Sequence, residues 1–412
     1  MANEWTEYTV EQIADVIGGG TPSTVDENNF GGDIAWITPK DLSNHQFRYI
    51  QRGERNITEM GLNNSNTTLL PKGSVLLSSR APVGYLAIAA NPLSTNQGFK
   101  SLIVRDGFDN EFVYYLLKAN VEYLKSQASG TTFGELSGGT LKRLRFSLPP
   151  LPEQQSIAEV LGALDDKIEL NRRMNTTLEA MAKVLFRQWF VESEEVKEWE
   201  IRKLSDIAYF IKGVSYRSSE LVEFSDTALV TLKCVERGGG YKEDGLKPFS
   251  GKYKSAQRVF PGEVVIAHTD LTQAADVVGR ASRVEPNEKY PILVASLDMV
   301  IVRPKGKPYS PEYLYGVLSR GEFADHAYGY TNGTTVLHLS SKALPEYPIK
   351  IPPKGKAEDY TKMVSPIYAQ IDNNKGQSRT LASLRDGLLP KLMMGEARVK
   401  DVPANKKGWN DD

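Results

Sequence analysis

Between Ile157 and Trp189 residues recur in alternating steps of four and three, through Ile157, Leu161, Leu164, Ile168, Asn171, Asn175, Leu178, Ala182, Leu185 and Trp189, and only the two Asn interrupt the apolar series. That spacing is the seam of a helix packed on another helix. Pro149, Pro150 and Pro152 precede it, and a first helical turn tolerates proline because its N–H groups have no intrahelical partner. The helix is therefore expected to begin near Pro152 and end near Val191. About 40 residues rising 1.5 Å each make a rod roughly 60 Å long, against about 11 to 12 residues for an ordinary globular helix. Such a rod is a spacer or a docking strut.

Elsewhere the pattern is shorter. EWTEYTVEQIADVIGGGTPS opens with a short amphipathic segment that breaks at Gly18, Gly19, Gly20 and Pro22. The runs SVLLSS (74–79), YLAIAA (85–90) and KSLIVR (100–105), separated by Gly, Pro and Asn, predict strands of a small mixed sheet. NEFVYYLLKANVEYLKSQ (110–127) has helical spacing, and a Gly/Thr loop then leads into the long helix. After the charged bridge 192–198 the pattern restarts at Trp199. EVVIAH (263–268) and LDMVIVRP (297–304) stand where SVLLSS and KSLIVR stood, and SPEYLYGVLSRGEFADHAYG (310–329) matches the first domain's helix.

NGTTVLHLS repeats SGTTFGELS, aligning Gly130 with Gly333 at an offset of 203 (333 − 130). The same offset carries Pro149 and Pro150 onto Pro352 and Pro353 and the seam onto Tyr360, Val364, Ile367, Ile371, Asn374, Ser378, Leu381, Arg385, Leu388 and Leu392. The chain is a tandem duplication of one unit, a mixed α/β domain followed by a long helix. The fold class is α+β: domains at 1–148 and 192–350, helical segments at 149–191 and 351–395, and a polar tail at 396–412. Pro366 would clash inside a helix, so within 351–395 Ser365 as N-cap and Pro366 at the first helical position give a shortened second helix ending before Gly395.

Connectivity sets the direction of the pair. The bridge 192–198 has seven residues (198 − 192 + 1) and spans at most about 25 Å, too little to return along the rod. The helices are expected to run antiparallel, paired through Leu164, Ile168, Leu178, Leu185, Ile371, Leu381 and Leu388, with Asn171 and Asn374 brought together as a polar layer that penalises slipped registers. Leu170, Met174, Met181, Val184, Phe186 and Phe190 lie off the seam, and this excess apolar surface predicts further helices docking there. The alternative is that the apolar residues do no more than join the two helices.

Composition narrows the class. A chain of 412 residues that is 40% hydrophobic and 25% charged holds two or three domains with ordinary cores. The start MANEWTEYTV lacks a basic and apolar leader, and no run of 18 apolar residues occurs, which points to a cytoplasmic protein that does not span a membrane. One cysteine, Cys234, fits a reducing compartment, and His45, His268, His326 and His338 show no ligand spacing. Net charge is −1, so any grip on nucleic acid must come from local patches or partners. Seven basic residues between Leu229 and Arg258, among them Lys233 and Arg237, face only Glu236, Glu243 and Asp244. A solvated face would need no ligand.

Catalytic signatures are missing: no phosphate-loop or dinucleotide glycine motif, no nucleophile elbow, no metal-ligand cluster, and no Asp/Asn-Pro-Pro-Tyr/Phe of a DNA amino-methyltransferase. A self-sufficient methyltransferase is thereby opposed, and any reaction this chain serves is performed by others.

The order of domain, LPPLPEQQSIAEVLGALDDKIE helix, second domain and closing LRDGLLPKLMMGE resembles the specificity subunit of type I restriction-modification systems. GGTPST (19–24), WITPKDLS (36–43), TNQGFKSLIV (95–104) and GTTFGELS (130–137) resemble its target-recognition domains. The resemblance implies that each domain reads one half of a split, asymmetric site on double-stranded DNA, while the helices hold the halves apart. Two methyltransferase subunits, and up to two restriction subunits, would dock on the assembly. It further implies that this chain binds no cofactor, S-adenosylmethionine belonging to the methyltransferase subunits and ATP with Mg to the restriction subunit. The second domain departs from the pattern where VASL (294–297) stands for TNQG and AHTDLTQAADVVG for SSRAPVG.

Base edges are read by side-chain donors and acceptors, and phosphates by Lys, Arg, Ser, Thr and backbone N–H groups. The loops supply candidates of both kinds: Thr38, Lys40, Asn44, Ser79, Arg80, Thr95, Asn96, Gln97, Gly130, Thr131 and Thr132 in the first domain, and Lys233, Arg237, His268, Thr269, Gly333, Thr334 and Thr335 in the second. Each has a plain structural alternative: a turn for the glycines, a strand cap for Asn96 and Gln97, a surface lysine for Lys40, a core histidine for His268. The competing function is a non-catalytic adaptor, two interaction domains on a helical strut.

Overall fold

The structure, a computed structural model, describes residues 5–43, 45–129, 134–270, 276–333 and 336–399. They form two compact units, one from residues 1–171 and 377–412 and one from 172–376. Each unit therefore holds a mixed domain together with part of both long helices, Leu151–Arg187 and Lys354–Met393.

In the first unit the strands at Val75–Ser79, Val83–Ala89 and Lys100–Val104 fall on the three apolar runs. They are flanked by Ala14–Gly18 and Tyr49–Ile50 in a five-stranded sheet. The N-terminal segment is not one amphipathic element but strand Thr6–Thr9, a helical turn Val10–Ile13 and strand Ala14–Gly18. The two strands pair with different partners, Arg145–Leu148 and Lys100–Val104, so the helix-like spacing of Val10 and Ile13 marks the buried turn between them. A second sheet orders Arg55–Ile57, Phe30–Ile37 and Ser94–Thr95. The helix foreseen at 110–127 is two, Asn110–Ala119 and Val121–Ser126, the first capped by Asp109, whose carboxylate accepts the Phe112 N–H at 2.8 Å. Phe112, Leu116, Val75, Leu77 and Leu102 share one core with Ile157, Leu161, Leu389 and Leu392. The long helices are thus stabilised by the domain as much as by each other.

The second unit repeats the plan. Ala208–Lys212, Met299–Pro304, Val264–Ala267 and Ala281–Arg283 form a four-stranded sheet, with no fifth strand among the described residues at the edge where Tyr49–Ile50 stands in the first. Ile201–Lys203 pairs with Pro348–Lys350, as Thr6–Thr9 does with Arg145–Leu148.

Within each unit the long helices run antiparallel. In the first, Asn171 Nδ2 lies 3.3 Å from Ser378 Oγ, and Arg385 pairs with Asp165 one and a half turns back along the first helix. In the second, Asn374 Nδ2 donates to Asn175 Oδ1 at 2.8 Å, and Phe186 packs on Tyr360. Each of these Asn faces the repeat equivalent of a position one turn along, Ser378 for Asn171 and Asn175 for Asn374, because antiparallel neighbours interleave rather than stand level.

Two expectations are corrected. The second helix does not start at Ser365 but runs unbroken from Lys354 through Pro366. Pro366 lies on the exposed flank while Val364 and Tyr368 are buried, so the Lys362 carbonyl that loses its helical donor can turn to water. Phe186 and Phe190 are not outward-facing. Both are buried among Tyr313, Tyr360 and Trp199, because the helix is covered there by the domain as well as by the other helix, and it widens into a π-helical turn at Gln188–Glu192.

Ionic anchors differ between the units. Arg48, almost wholly buried, reaches Asp166 at 2.8 Å and Glu111 at 3.2 Å, and donates to Tyr115 OH at 3.2 Å. Tyr115 in turn donates to Asp165 at 2.8 Å. Burial pulls the Arg48 pKa down, but Tyr115, Glu111 and Asp166 outweigh it and hold the guanidinium above its ordinary value. In the second unit Arg283 forms a bidentate pair with Asp372 at 2.7 and 2.8 Å, and Lys375 binds Glu285 at 2.5 Å.

Candidate nucleic-acid interface

The loops that carry the candidate residues converge in each unit around one parallel strand contact. In the first unit Ile37 pairs with Thr95, which sets WITPK beside TNQG. The glycine turn after the Ala14–Gly18 strand closes on the same place: Gly20 N–H donates to the Thr95 carbonyl at 2.9 Å. A Cβ on Gly19 would lie 2.0 Å from the Asn96 carbonyl oxygen, so only glycine admits this approach.

This convergence sorts the candidates. Thr38 donates from its N–H and hydroxyl to the Asp41 carboxylate at 2.7 and 2.6 Å, which fixes the turn Pro39–Ser43. Thr95 is buried, its carbonyl also accepting the Thr67 hydroxyl at 2.8 Å. The Asn96 side-chain oxygen accepts the Gly98 N–H at 2.9 Å. Ser79 is fully buried, with its hydroxyl on the Gly98 carbonyl at 3.1 Å. These four build the scaffold. Gln97 and Lys40 are exposed, Gln97 accepting the Thr21 hydroxyl and Lys40 pairing with Glu54 at 2.7 Å. Arg80 is half-buried, bridged through its backbone to Glu135, whose carboxylate lies 3.8 Å from Lys100 Nζ. Thr21, inside GGTPST but not among the sequence candidates, belongs to this surface. Asn44, Gly130, Thr131 and Thr132 lie outside the described residues.

The second unit reproduces the backbone and changes the side chains. Val230 pairs in parallel with Ala295, and Gly213 approaches the Ser296 carbonyl as Gly19 does that of Asn96. TNQG therefore stands over ASLD (295–298), one residue on from the sequence alignment with VASL. The exposed Gln97 is matched by Leu297, also exposed. Ser79 is matched by His268: each donates its N–H to the next loop, to the Gly98 carbonyl and to the Asp298 carbonyl, both at 2.7 Å. Each also accepts a leucine N–H at 2.9 Å, from Leu136 and Leu339. Thr269, paired with His338, is buried and donates to Asp298 at 3.1 Å. Burial, then Lys212 and His338, hold the His268 pKa below its ordinary value, with Asp298 opposing.

Lys233 is exposed in the short helical turn capped by Thr231, matching Lys40, and the exposed Arg237 lies 3.7 Å from Asp276. Gly333 holds φ +118°, a left-handed turn that a side chain would strain. Thr334 and Thr335 lie outside the described residues. Among the described residues no three His, Cys, Asp or Glu gather as a metal ligand set, and no helix is long and apolar enough to cross a membrane.

On the helices Leu170, Met174, Met181 and Val184 are exposed, as are Met363 and Leu384 of the second helix. Leu164, Leu178, Leu185, Leu381 and Leu388 are half-buried, whereas Ile168 and Ile371 are buried.

Comparison with known proteins adds an independent line. The family model described as type I restriction modification DNA specificity domain matches twice, at residues 2–180 and 196–382. The type I restriction enzyme MjaIX specificity subunit of Methanocaldococcus jannaschii is 35% identical, the match covering 98% of this chain and 95% of that one. The HindI specificity subunit of Haemophilus influenzae is 25% identical over 96% of this chain and all of its own. A crystal structure of the type I restriction-modification S subunit from M. genitalium has the same fold, with a TM-score of 0.63 at 16% identity, covering 95% of this chain and 96% of that one.

Proposed function

Because this chain belongs to the family of type I restriction-modification DNA specificity subunits, we propose that its two loop clusters each read one half of a bipartite, asymmetric DNA site. DNA sequence specificity through two recognition domains is its function, and an adaptor that never meets nucleic acid is not favoured. The observation that carries the bipartite reading is the substitution of side chains on a preserved backbone. Where the first cluster presents Gln97, Arg80 and Glu135, the second has Leu297, the buried Thr269 and His338 at equivalent positions. Different edges on the same frame read different bases.

Two methyltransferase subunits dock on the exposed helix residues Leu170, Met174, Met181 and Val184, and up to two restriction subunits complete the assembly. S-adenosylmethionine is held by the methyltransferase subunits, and ATP with Mg by the restriction subunits. This chain contributes no catalytic residue and works in the cytoplasm. Reading falls to Thr21, Arg80, Gln97, Lys40, Lys233, Arg237 and His268, while Thr38, Ser79, Thr95 and Asn96 hold the loops. Co-expression of the chain with its methyltransferase subunits, followed by mapping of modified adenines, tests this. A two-part motif that disappears when the chain is omitted is expected; modification independent of the chain contradicts the proposal.

A further inference from the structure

Position 268 marks a difference between the two clusters that backbone equivalence makes easy to isolate. Its counterpart Ser79 is fully buried, with its hydroxyl on the Gly98 carbonyl, and presents nothing to the outside. His268 keeps the same backbone bonds, yet its ring remains partly exposed. The two ring nitrogens differ. Nε2 is buried and has no hydrogen-bond partner among the described residues, whereas Nδ1, equally unbonded, reaches solvent. A proton on Nε2 would be a buried donor without an acceptor, which costs about 1–3 kcal/mol. A bare ring lone pair is the less costly orphan, so the proton of the neutral ring belongs on Nδ1. The ring stays neutral because burial, Lys212 and His338 all disfavour its charge against the opposing Asp298.

We propose that His268 is a specificity-determining donor of the second recognition domain, its outward Nδ1–H contacting an acceptor on a base edge of the second half-site and so rejecting cytosine there. This rests on the recognition role proposed above. In the major groove adenine and guanine offer N7 and thymine offers O4, whereas cytosine offers only its N4 donor. Two donors would be left facing each other.

The first repeat supplies the control. The assembled complex carrying His268→Ser places at 268 the residue that stands at the matching backbone position of the first domain. Its modification motif is expected to admit cytosine at one position of the second half-site, with discrimination falling roughly tenfold, and to keep the first half-site unchanged. His268→Asn, whose amide nitrogen sits near the place of Nδ1, is expected to keep the rejection. His268→Gln, which reaches towards the place of Nε2, is expected to lose it. An unchanged motif in the serine variant, or equal weakening on every sequence as for a phosphate contact, overturns the assignment while leaving the recognition role intact. Absence of any sequence-specific modification by the unaltered complex overturns the recognition role itself.

Discussion

The two units share a frame and differ in how it is closed. In the first, strand Tyr49–Ile50 lines the edge of the central sheet and Arg48 beside it reaches two carboxylates and a phenol. In the second, that edge strand has no counterpart among the described residues, the Gly238–Tyr241 loop bonds along the Ala281–Arg283 strand, and anchorage passes to the Arg283–Asp372 pair on this edge strand itself. The aromatic content shifts too: Phe186 and Phe190 fill the second unit at positions where the first, by the 203-residue offset, has Leu389 and Met393. A duplicated domain thus keeps its strand pairing and its helix seam, but the contacts between sheet and helix have been rebuilt separately in each copy.

The largest effect that separates the copies is expected at Phe186. Phe186→Ala removes a buried ring packed on Gly316, Tyr313 and Tyr360, and is expected to destabilise the second unit by about 4 kcal/mol. Hydrogen exchange should accelerate in that unit and stay unchanged in the domain core of the first. Next comes Arg48→Met, which strands Glu111 and Asp166 and should cost the first unit about 3 kcal/mol in denaturant unfolding. Arg283→Met leaves Asp372 as the principal stranded carboxylate and is expected to cost less; equal losses would remove the distinction drawn between the anchors.

A smaller, pH-dependent effect follows from His45 in the first unit, whose pKa burial lowers below its ordinary 6.5, with the Tyr49 carbonyl and Glu169 opposing. The unfolded chain then takes up the proton first as pH falls, so a stability penalty builds up below about pH 6.5 and is absent above it. His45→Asn should flatten that part of the pH–stability curve. The smallest effect is expected for Lys40→Ala, whose pair with Glu54 is open to solvent, with no measurable change in unfolding. The same variant should weaken DNA binding by the complex and reduce its salt dependence.

Much of the frame was legible because it repeats. Strand cores and the helix seam recur at fixed spacing, and the Pro-Pro start and Gly-Thr loop fixed the offset between copies. The failures have local causes. Pro366 looked like a helix start because the sequence does not reveal that its flank is exposed. Phe186 and Phe190 looked like outward residues because heptad counting assumes one partner helix and an even pitch, whereas a domain and a π-helical turn intervene. Among the reading candidates, polar residue type could not tell Thr38, Thr95, Asn96 and Ser79, which bond their own loops, from Gln97, which stands at the tip. That distinction depends on which strands meet.

The claim that each domain reads its own half-site is tested most directly by replacing residues 1–148 with the first recognition domain of a relative of known specificity, and mapping the bases the assembled complex modifies. The expected result is a hybrid motif, with the relative's sequence in one half and the present chain's in the other. A motif changed in both halves, or in neither, would contradict separate reading by the two loop clusters.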